Sequence, residues 1–208
     1  SYLQGLRRAV AEFQPVLVSE HACFTAHQQH HFHDLLPVPF TDEAVLHMAA
    51  RIGQVQDYLG REILIENISR YAAYAESQLS ECEFLSAVCQ EADCGLLLDL
   101  NNAYVNQCNL GEDLNDFVAG LPLSRIGEVH LAGYSVREGR VLDTHSSAPS
   151  DAVWDHYRNF CELCPDVPCL IEWDSNLPSL QELVVHQIKA QAILDKVQIN
   201  PVANRCWG

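Results

Sequence analysis

Five short apolar runs recur along the chain, and each ends at a polar residue. The runs lie near residues 15–20, 62–66, 95–99, 126–131 and 169–173. Short runs of this kind are typical of strands buried on both faces of a parallel sheet. The stretches with helical periodicity alternate with them and cover residues 1–13, 41–59, 80–92, 113–119, 151–163 and 177–196. This alternation predicts a parallel α/β architecture.

Local signals support several helix boundaries. Thr41 suits an N-cap, Gly60 follows the predicted end of that helix, and Ser80 to Glu83 has the spacing of a capping box. Long strand-to-helix loops are predicted at residues 22–40 and 133–150. Loops of this kind carry function in barrels and in open sheets alike.

The number of strands limits the possible architectures. Eight-stranded barrels typically need about 250 residues, and this chain has 208 residues. The sheet is therefore open, or the chain begins inside a barrel. A helix at the start favours the second alternative, because it should follow an earlier strand. We expect residues 1–196 to be the C-terminal five-strand portion of a barrel whose first strands are missing, followed by a tail at residues 197–208.

Composition excludes some classes of partner. The net charge of −16 argues against a nucleic acid or an anionic membrane surface, which normally require a basic face. No stretch approaches the roughly 18 apolar residues of a membrane helix. The nine cysteines show no disulfide-like framework, which favours a reducing cytoplasm. We interpret the C-x-x-C spacing of Cys161 and Cys164 as two positions near a helix end, rather than as a redox pair or half a zinc site.

Polar residues at the strand ends form the candidate site. They are His21, Glu66, Asp99, Asn102, His130, Asp143, His145 and Glu172. Carboxylates and imidazoles rarely lie beside buried strands unless they are paired or bind a metal. Asp143 and His145 face the same side of an extended segment, and Glu66 and Glu172 each have two oxygens that can bridge two metals. Ligands of this mixed type, without thiolates, suit iron, manganese or zinc.

Other polar residues receive weaker assignments. Four histidines cluster in the first long loop, and we expect an exposed polar loop at His27, His30, His31 and His33. Of these, His33 is retained as a residue that supports the ligands. The histidines on helical patterns are expected at the surface, namely His47, His156 and His186. Three neighbours of ligands are expected to support them, namely Asn67, Asn101 and Asp174.

Seven segments together resemble a known family. They are Ser19–His21, Phe32–Pro37, Leu64–Asn67, Leu97–Asn102, Glu128–Gly133, Asp143–His145 and Leu170–Asp174. From about residue 1 to 195 the chain resembles the DUF692 family, the multinuclear non-haem iron-dependent oxidative enzymes. The wider superfamily comprises the xylose isomerase-like TIM barrels, including endonuclease IV, whose order of ligands is also similar.

The resemblance implies a (β/α)8 barrel with two or three irons at its C-terminal mouth and the eight strand-end residues as ligands. It implies oxidative modification of a cysteine in a ribosomally made peptide, often with a small partner protein that captures the peptide leader. Three features depart from the family. We expect the early strands, which should supply a further histidine ligand, to be missing from this sequence. Tyr134 stands where relatives commonly have histidine, and Ala22-Cys23-Phe24 stands where they commonly have Leu-Ser-Trp.

Alternative functions remain open at this point. A metal-dependent hydrolase, such as a phosphodiesterase acting on abasic DNA, would use the same ligands but is disfavoured by the net charge. A sugar isomerase would need a lysine near the metals, and no strand end carries one. An inactive binding scaffold is the alternative outside enzymes. For the oxidase we assign no catalytic residue beyond the metal ligands, and we expect a cysteine-containing peptide as substrate.

Overall fold

The computed structural model describes residues 2–199. It contains a 3-10 turn at Leu123–Arg125 and seven α-helices, namely α1 Tyr2–Phe13, α2 Asp42–Leu59, α3 Glu81–Ala92, α4 Leu100–Leu110, α5 Leu114–Ala119, α6 Asp151–Leu163 and α7 Leu180–Ile199. Its strands are β1 Ser19–His21, β2 Phe24–His27, β3 His30–Leu36, β4 Leu64–Glu66, β5 Gly95–Asp99, β6 Ile126–Leu131, β7 Tyr134–Arg137, β8 Arg140–Asp143 and β9 Cys169–Ile171.

The predicted parallel sheet is confirmed. Its strand order is β1-β4-β5-β6-β9. The pairs β1–β4, β4–β5 and β6–β9 are parallel, and His21 lies opposite Glu66 in the register. These five strands correspond to the five apolar runs of the sequence. The fold class is therefore α/β with a parallel central sheet.

The chain divides into two compact units. The first consists of residues 2–68, 72–97 and 120–127. Its core includes the buried faces of α2 and α3, where Ile52, Phe84 and Val88 exclude solvent. Burial of such apolar side chains is the main favourable contribution to folding.

The second unit consists of residues 69–71, 98–119 and 128–199. Its core joins the ends of β5 and β6 with α4 and α6. Val105, Val129, Trp154 and Phe160 are buried there. This unit carries most of the polar residues that the sequence singles out.

The helix caps agree with the sequence signals. Thr41 Oγ1 accepts a hydrogen bond from Ala44 N, and Gly60 ends α2 with φ 71°. Ser80 and Glu83 form the reciprocal capping box at the start of α3. Cys161 lies in the last turn of α6 and Cys164 is its C-cap residue, so the C-x-x-C pair takes the predicted helix-end position.

Two predicted loops contain additional strands. Within residues 22–40, β2 and β3 form an antiparallel hairpin, and within residues 133–150, β7 and β8 form another. The sequence analysis expected long loops at these positions and did not predict the strands within them. His27, His30 and His31 are exposed as expected, although they lie on a hairpin. His33, which was expected to support the ligands, is also exposed, on β3.

The sequence analysis also missed one helix and displaced another. Helix α4 begins directly after β5, in a stretch where no helix was predicted, and α7 covers Leu180–Ile199 rather than residues 177–196. The part of the expected tail from residue 200 onward lies outside the described residues. Among residues 2–199, no helix is long and apolar enough to cross a membrane.

Candidate metal centre

Three acidic or imidazole side chains gather where strands of the second unit end. Asp99 is the last residue of β5, His130 lies in β6, and Glu172 follows β9 directly. Each offers one ligand atom, and these atoms lie within 4.8 Å of one another. Asp99 and His130 are buried, and Glu172 is partly buried. The order of strand ends along the sheet therefore brings together residues that are 31 or more positions apart in sequence.

The two carboxylate oxygens of Asp99 have different contacts. Oδ1 accepts a hydrogen bond from Asn102 N at 2.7 Å and so caps α4. Oδ2 lies 3.8 Å from His145 Nε2. The cap thus fixes the rotation of the carboxylate while its second oxygen faces the other candidate ligands.

His145 lies between carboxylates on both sides of its ring. Nε2 is 2.7 Å from Asp143 Oδ1, and Nδ1 is 3.2 Å from Glu172 Oε2 and 3.6 Å from Asp174 Oδ2. Among residues 2–199, neither ring nitrogen has a hydrogen-bond partner in good geometry. The contacts are therefore charge contacts around a buried imidazole, as expected where a cation is shared.

Burial and neighbouring charges have opposite effects on the pKa values of His130, His145 and Glu172. Burial lowers the pKa of His145, but contacts with Asp143 and Glu172 outweigh it and raise that pKa to about 11. Burial would raise the pKa of Glu172, yet the hydrogen bond with His130 and the close contact with the His145 ring lower it well below its ordinary value. The pKa of His130 is raised, because its 3.0 Å contact with Glu172 outweighs burial. His145 is therefore protonated at neutral pH, and a metal ion that binds its ring would have to displace that proton.

Hydrogen bonds hold the Asp143 carboxylate in place. Ser69 Oγ donates to Oδ2 at 3.1 Å, and Asn101 Nδ2 donates to Oδ1 at 2.8 Å. The backbone N–H of Asp143 donates to Tyr71 Oη at 2.9 Å. The sequence analysis expected a supporting role for Asn101 but missed Ser69 and Tyr71, which lie three and five residues beyond the end of β4.

Three more predicted ligands also lie at strand or helix ends. In the first unit His21 and Glu66 end adjacent strands, with Nε2 and Oε2 3.5 Å apart. Glu66 is buried, whereas the side chain of His21 is 42% exposed. Asn102 is buried in the first turn of α4. Asp174, expected only to support ligands, joins His145 and Glu172 in a second group of ligand atoms within 4.8 Å.

Two predicted surface histidines are partly buried instead. The His186 ring lies 6.2 Å from Trp154 and 6.0 Å from Trp173, and the His156 ring lies 6.2 Å from Tyr104. Helical periodicity placed them on the polar face, but aromatic neighbours cover them. His47 is exposed on α2 as expected.

The donor set fits a metal ion. The ligand atoms of this cluster are carboxylate oxygens and imidazole nitrogens, and no cysteine sulfur is among them. Carboxylates that lie close together in a partly buried site repel one another unless a cation balances their charge. Iron, manganese and zinc all accept such ligands.

Comparisons with solved structures define the class of fold. A xylose isomerase domain containing protein from Salmonella typhimurium superposes with a TM-score of 0.62 at 17% identity, covering 92% of this chain and 67% of that one. A D-tagatose 3-epimerase-like protein gives a TM-score of 0.58 at 14% identity, covering 94% and 69%. The chain thus has the xylose isomerase-like α/β fold, with a carboxylate–imidazole cluster at strand ends.

Sequence comparisons identify the family. Residues 1–195 match the family model described as "RiPP precursor modification enzyme MbnB/TglH/ChrH". A UPF0276 protein of Chromobacterium violaceum is 46% identical over 193 residues, covering 93% of this chain and 70% of the relative. One from Acaryochloris marina is 42% identical over 193 residues, with the same coverage. The chain belongs to the MbnB/TglH/ChrH family, as its resemblance to DUF692 proteins predicted.

Proposed function

We propose that the protein uses iron and oxygen to modify a cysteine of a ribosomally made peptide. The family is described by its action on RiPP precursors, which supports a peptide substrate. The observation that carries the proposal is the placement of His145 between Asp143 on one side and Glu172 on the other. A buried imidazole and the carboxylates on two sides of it are donors that can together ligate metal ions.

The proposed ligands are those expected from the sequence. They are His21, Glu66, Asp99, Asn102, His130, Asp143, His145 and Glu172. Two or three irons are proposed, and the same donors suit zinc or manganese. A bound iron would supply the oxidative chemistry with oxygen.

The protein's own residues have a positioning task. Asp99 is fixed by its cap of α4, and Glu172 is fixed by His130 at 3.0 Å. Burial of Asp99, His130 and His145 excludes bulk water and so strengthens the interactions of charges within the site. The ligands are thereby preorganised and need little rearrangement when a cation enters.

We also propose a partner protein and a cellular compartment for the enzyme. A small partner protein that captures the peptide leader would complete substrate recognition. Eight cysteines of the described residues are free thiols, which suits the reducing cytoplasm. A net charge of −16 opposes DNA as substrate and therefore disfavours the phosphodiesterase alternative.

The test combines metal analysis with peptide mass spectrometry. Protein purified without oxygen should contain at least two irons per chain, and a cysteine-containing precursor peptide should change mass when oxygen is added. Glu66→Gln removes a charge that can hold two cations, so we expect loss of one metal and of activity. His145→Ala should also lose one metal and activity. The exposed His47→Ala is the control and should behave as the wild type.

Two outcomes would contradict the proposal. One is stoichiometric zinc together with phosphodiesterase activity, which would favour the hydrolase. The other is full peptide oxidation by Glu66→Gln or His145→Ala with its metal content halved, because multinuclear iron would then not be the catalyst.

A further inference from the structure

The carboxylate of Asp143 is held by residues outside the proposed ligand set. Ser69 donates to one carboxylate oxygen and Asn101 to the other, at 3.1 and 2.8 Å. His145 Nε2 approaches the same oxygen as Asn101, at 2.7 Å. A carboxylate that accepts bonds on both oxygens has one preferred rotation, although the torsion of a free aspartate side chain is broad.

The donors themselves are anchored. Asn101 is fully buried in the first turn of α4, and Ser69 is buried in the segment that follows β4. Arg70 fixes that segment, because its backbone N–H donates to Asn106 Oδ1 at 2.6 Å and its guanidinium pairs with Glu112. Tyr71 Oη then accepts the backbone N–H of Asp143.

Helix α4 also holds the strand that leads to Asp143. Asn109 exchanges two hydrogen bonds with Val141, donating to its carbonyl at 2.7 Å and accepting from its N–H at 3.1 Å. The Asn109 side chain thus forms the same two backbone hydrogen bonds that a neighbouring strand would form with Val141. Asn109 therefore anchors the backbone of β8, whereas Asn101 acts on the carboxylate of Asp143.

We propose that Ser69, Tyr71 and Asn101 are positioning residues that orient Asp143 toward His145 and thereby set the affinity of the site for its metal. This inference rests on the proposed function, since it assigns Asp143 and His145 to a metal. Residues that hydrogen-bond to metal ligands fix ligand orientation, and their removal typically weakens metal affinity about 10- to 100-fold.

The experiment measures metal affinity rather than turnover. Cobalt(II) is titrated into metal-free full chain in competition with a chromophoric chelator, and its visible absorption bands report the coordination geometry. Ser69→Ala and Asn101→Ala should each weaken affinity about 10- to 100-fold and change the bands. Tyr71→Phe should act in the same direction. Ser69→Thr keeps the hydroxyl and should restore affinity.

Asn109→Ala is the matched control. It removes two hydrogen bonds to the same hairpin but none to the carboxylate, so affinity and bands should stay as in the wild type. Thermal melting of each metal-free variant shows whether the fold is retained. If Ser69→Ala fails to fold, Asn101→Ala and Tyr71→Phe still test the inference.

The outcomes separate the two proposals. If the wild type binds cobalt and the variants at positions 69 and 101 bind it equally well, the positioning role is wrong. The same holds if Asn109→Ala loses as much affinity as they do, because support of the hairpin would then explain the effect. If the wild type binds no metal, the proposed function and this inference both fall.

Discussion

His145 combines an unusual backbone conformation with an unusual environment. Its φ of 42° lies in the left-handed region, which typically costs about 1–3 kcal/mol for a residue other than glycine. Its carbonyl accepts hydrogen bonds from Asp174 N at 2.7 Å and Ser175 N at 3.4 Å, which hold that conformation. The strain places the ring between Asp143 and Glu172, so the backbone itself contributes to the site.

The proton on His145 predicts how metal affinity depends on pH. Contacts with Asp143 and Glu172 raise its pKa to about 11, so the metal-free protein keeps this proton at neutral pH. A metal must displace it, and each displaced proton makes affinity rise about tenfold per pH unit. Cobalt titrations between about pH 6 and 8.5 should show this increase. The slope should become shallower in His145→Ala but not in His27→Ala, an exposed control, and a wild-type affinity independent of pH would contradict the prediction.

The sequence predicted residues at strand ends better than residues in the loops beyond. Asp99 and Glu172 could be found because each follows an apolar run, and their burial follows from the sheet. Ser69 and Tyr71 lie past a strand end, where the backbone path depends on contacts made elsewhere, such as that of Arg70 with Glu112. Those contacts leave no periodic signal in the sequence.

At the scale of elements, the two hairpins show which signals were available. The turn between β7 and β8 consists of Glu138 and Gly139, both with positive φ, and a two-residue turn ending in glycine is a recognisable hairpin signal. The turn between β2 and β3 consists of Gln28 and Gln29, which give no such signal. The β7–β8 hairpin could therefore have been predicted from its turn residues, and the β2–β3 hairpin could not.

Helix α4 was missed for a different reason. Its sequence contains four asparagines, at positions 101, 102, 106 and 109, and asparagine has a low intrinsic helix propensity. Tertiary bonds compensate, since Asn101, Asn106 and Asn109 bond to Asp143, Arg70 and Val141. The asparagines that weaken the helix as an isolated element thus hold it to its neighbours, and Asn101 among them bonds to the candidate site.

Gly133 is predicted to be essential to the packing between the end of β6 and the segment after β8. A Cβ at this position would lie 2.2 Å from Ser147 O and 2.5 Å from Ala148 O, which are backbone atoms. Gly133→Ala should therefore destabilise the protein by about 1–3 kcal/mol through overpacking. Urea unfolding followed by circular dichroism measures this change.

Gly53 provides the control for that substitution. It lies inside α2, and a Cβ there would meet no heavy atom within 4 Å. Gly53→Ala should stabilise the helix by about 0.5–1 kcal/mol, because alanine has the higher helix propensity. Equal unfolding midpoints for Gly133→Ala and the wild type would show that residues 147 and 148 move aside without cost.

For the whole molecule, acidity links the site to stability. The chain has 28 acidic and 12 basic residues, and several of its carboxylates lie close together in the candidate site. Net charge far from zero destabilises the compact state through self-repulsion. A divalent cation in the candidate site would reduce both sources of repulsion. It balances the charge of the local carboxylates, and it reduces the net negative charge of the whole chain.

Metal binding should therefore raise the melting temperature of the protein. A ligand at 100 times its dissociation constant stabilises the folded state by about 2.7 kcal/mol. For a chain of this length, each kcal/mol shifts the melting temperature by roughly 2–4 °C, so an increase of about 5–10 °C is expected.

The melting temperature is measured by circular dichroism with metal-free protein, with added cobalt(II), and with sodium chloride at matched ionic strength. Screening by salt acts on all surface charges, whereas the site acts through His145 and its neighbours, so His145→Ala, which loses one metal, should lose part of the cobalt shift while keeping the salt response. A cobalt shift no larger than that of sodium chloride, or one of full size in His145→Ala, would mean that general charge screening stabilises the chain and that His145 does not hold a metal.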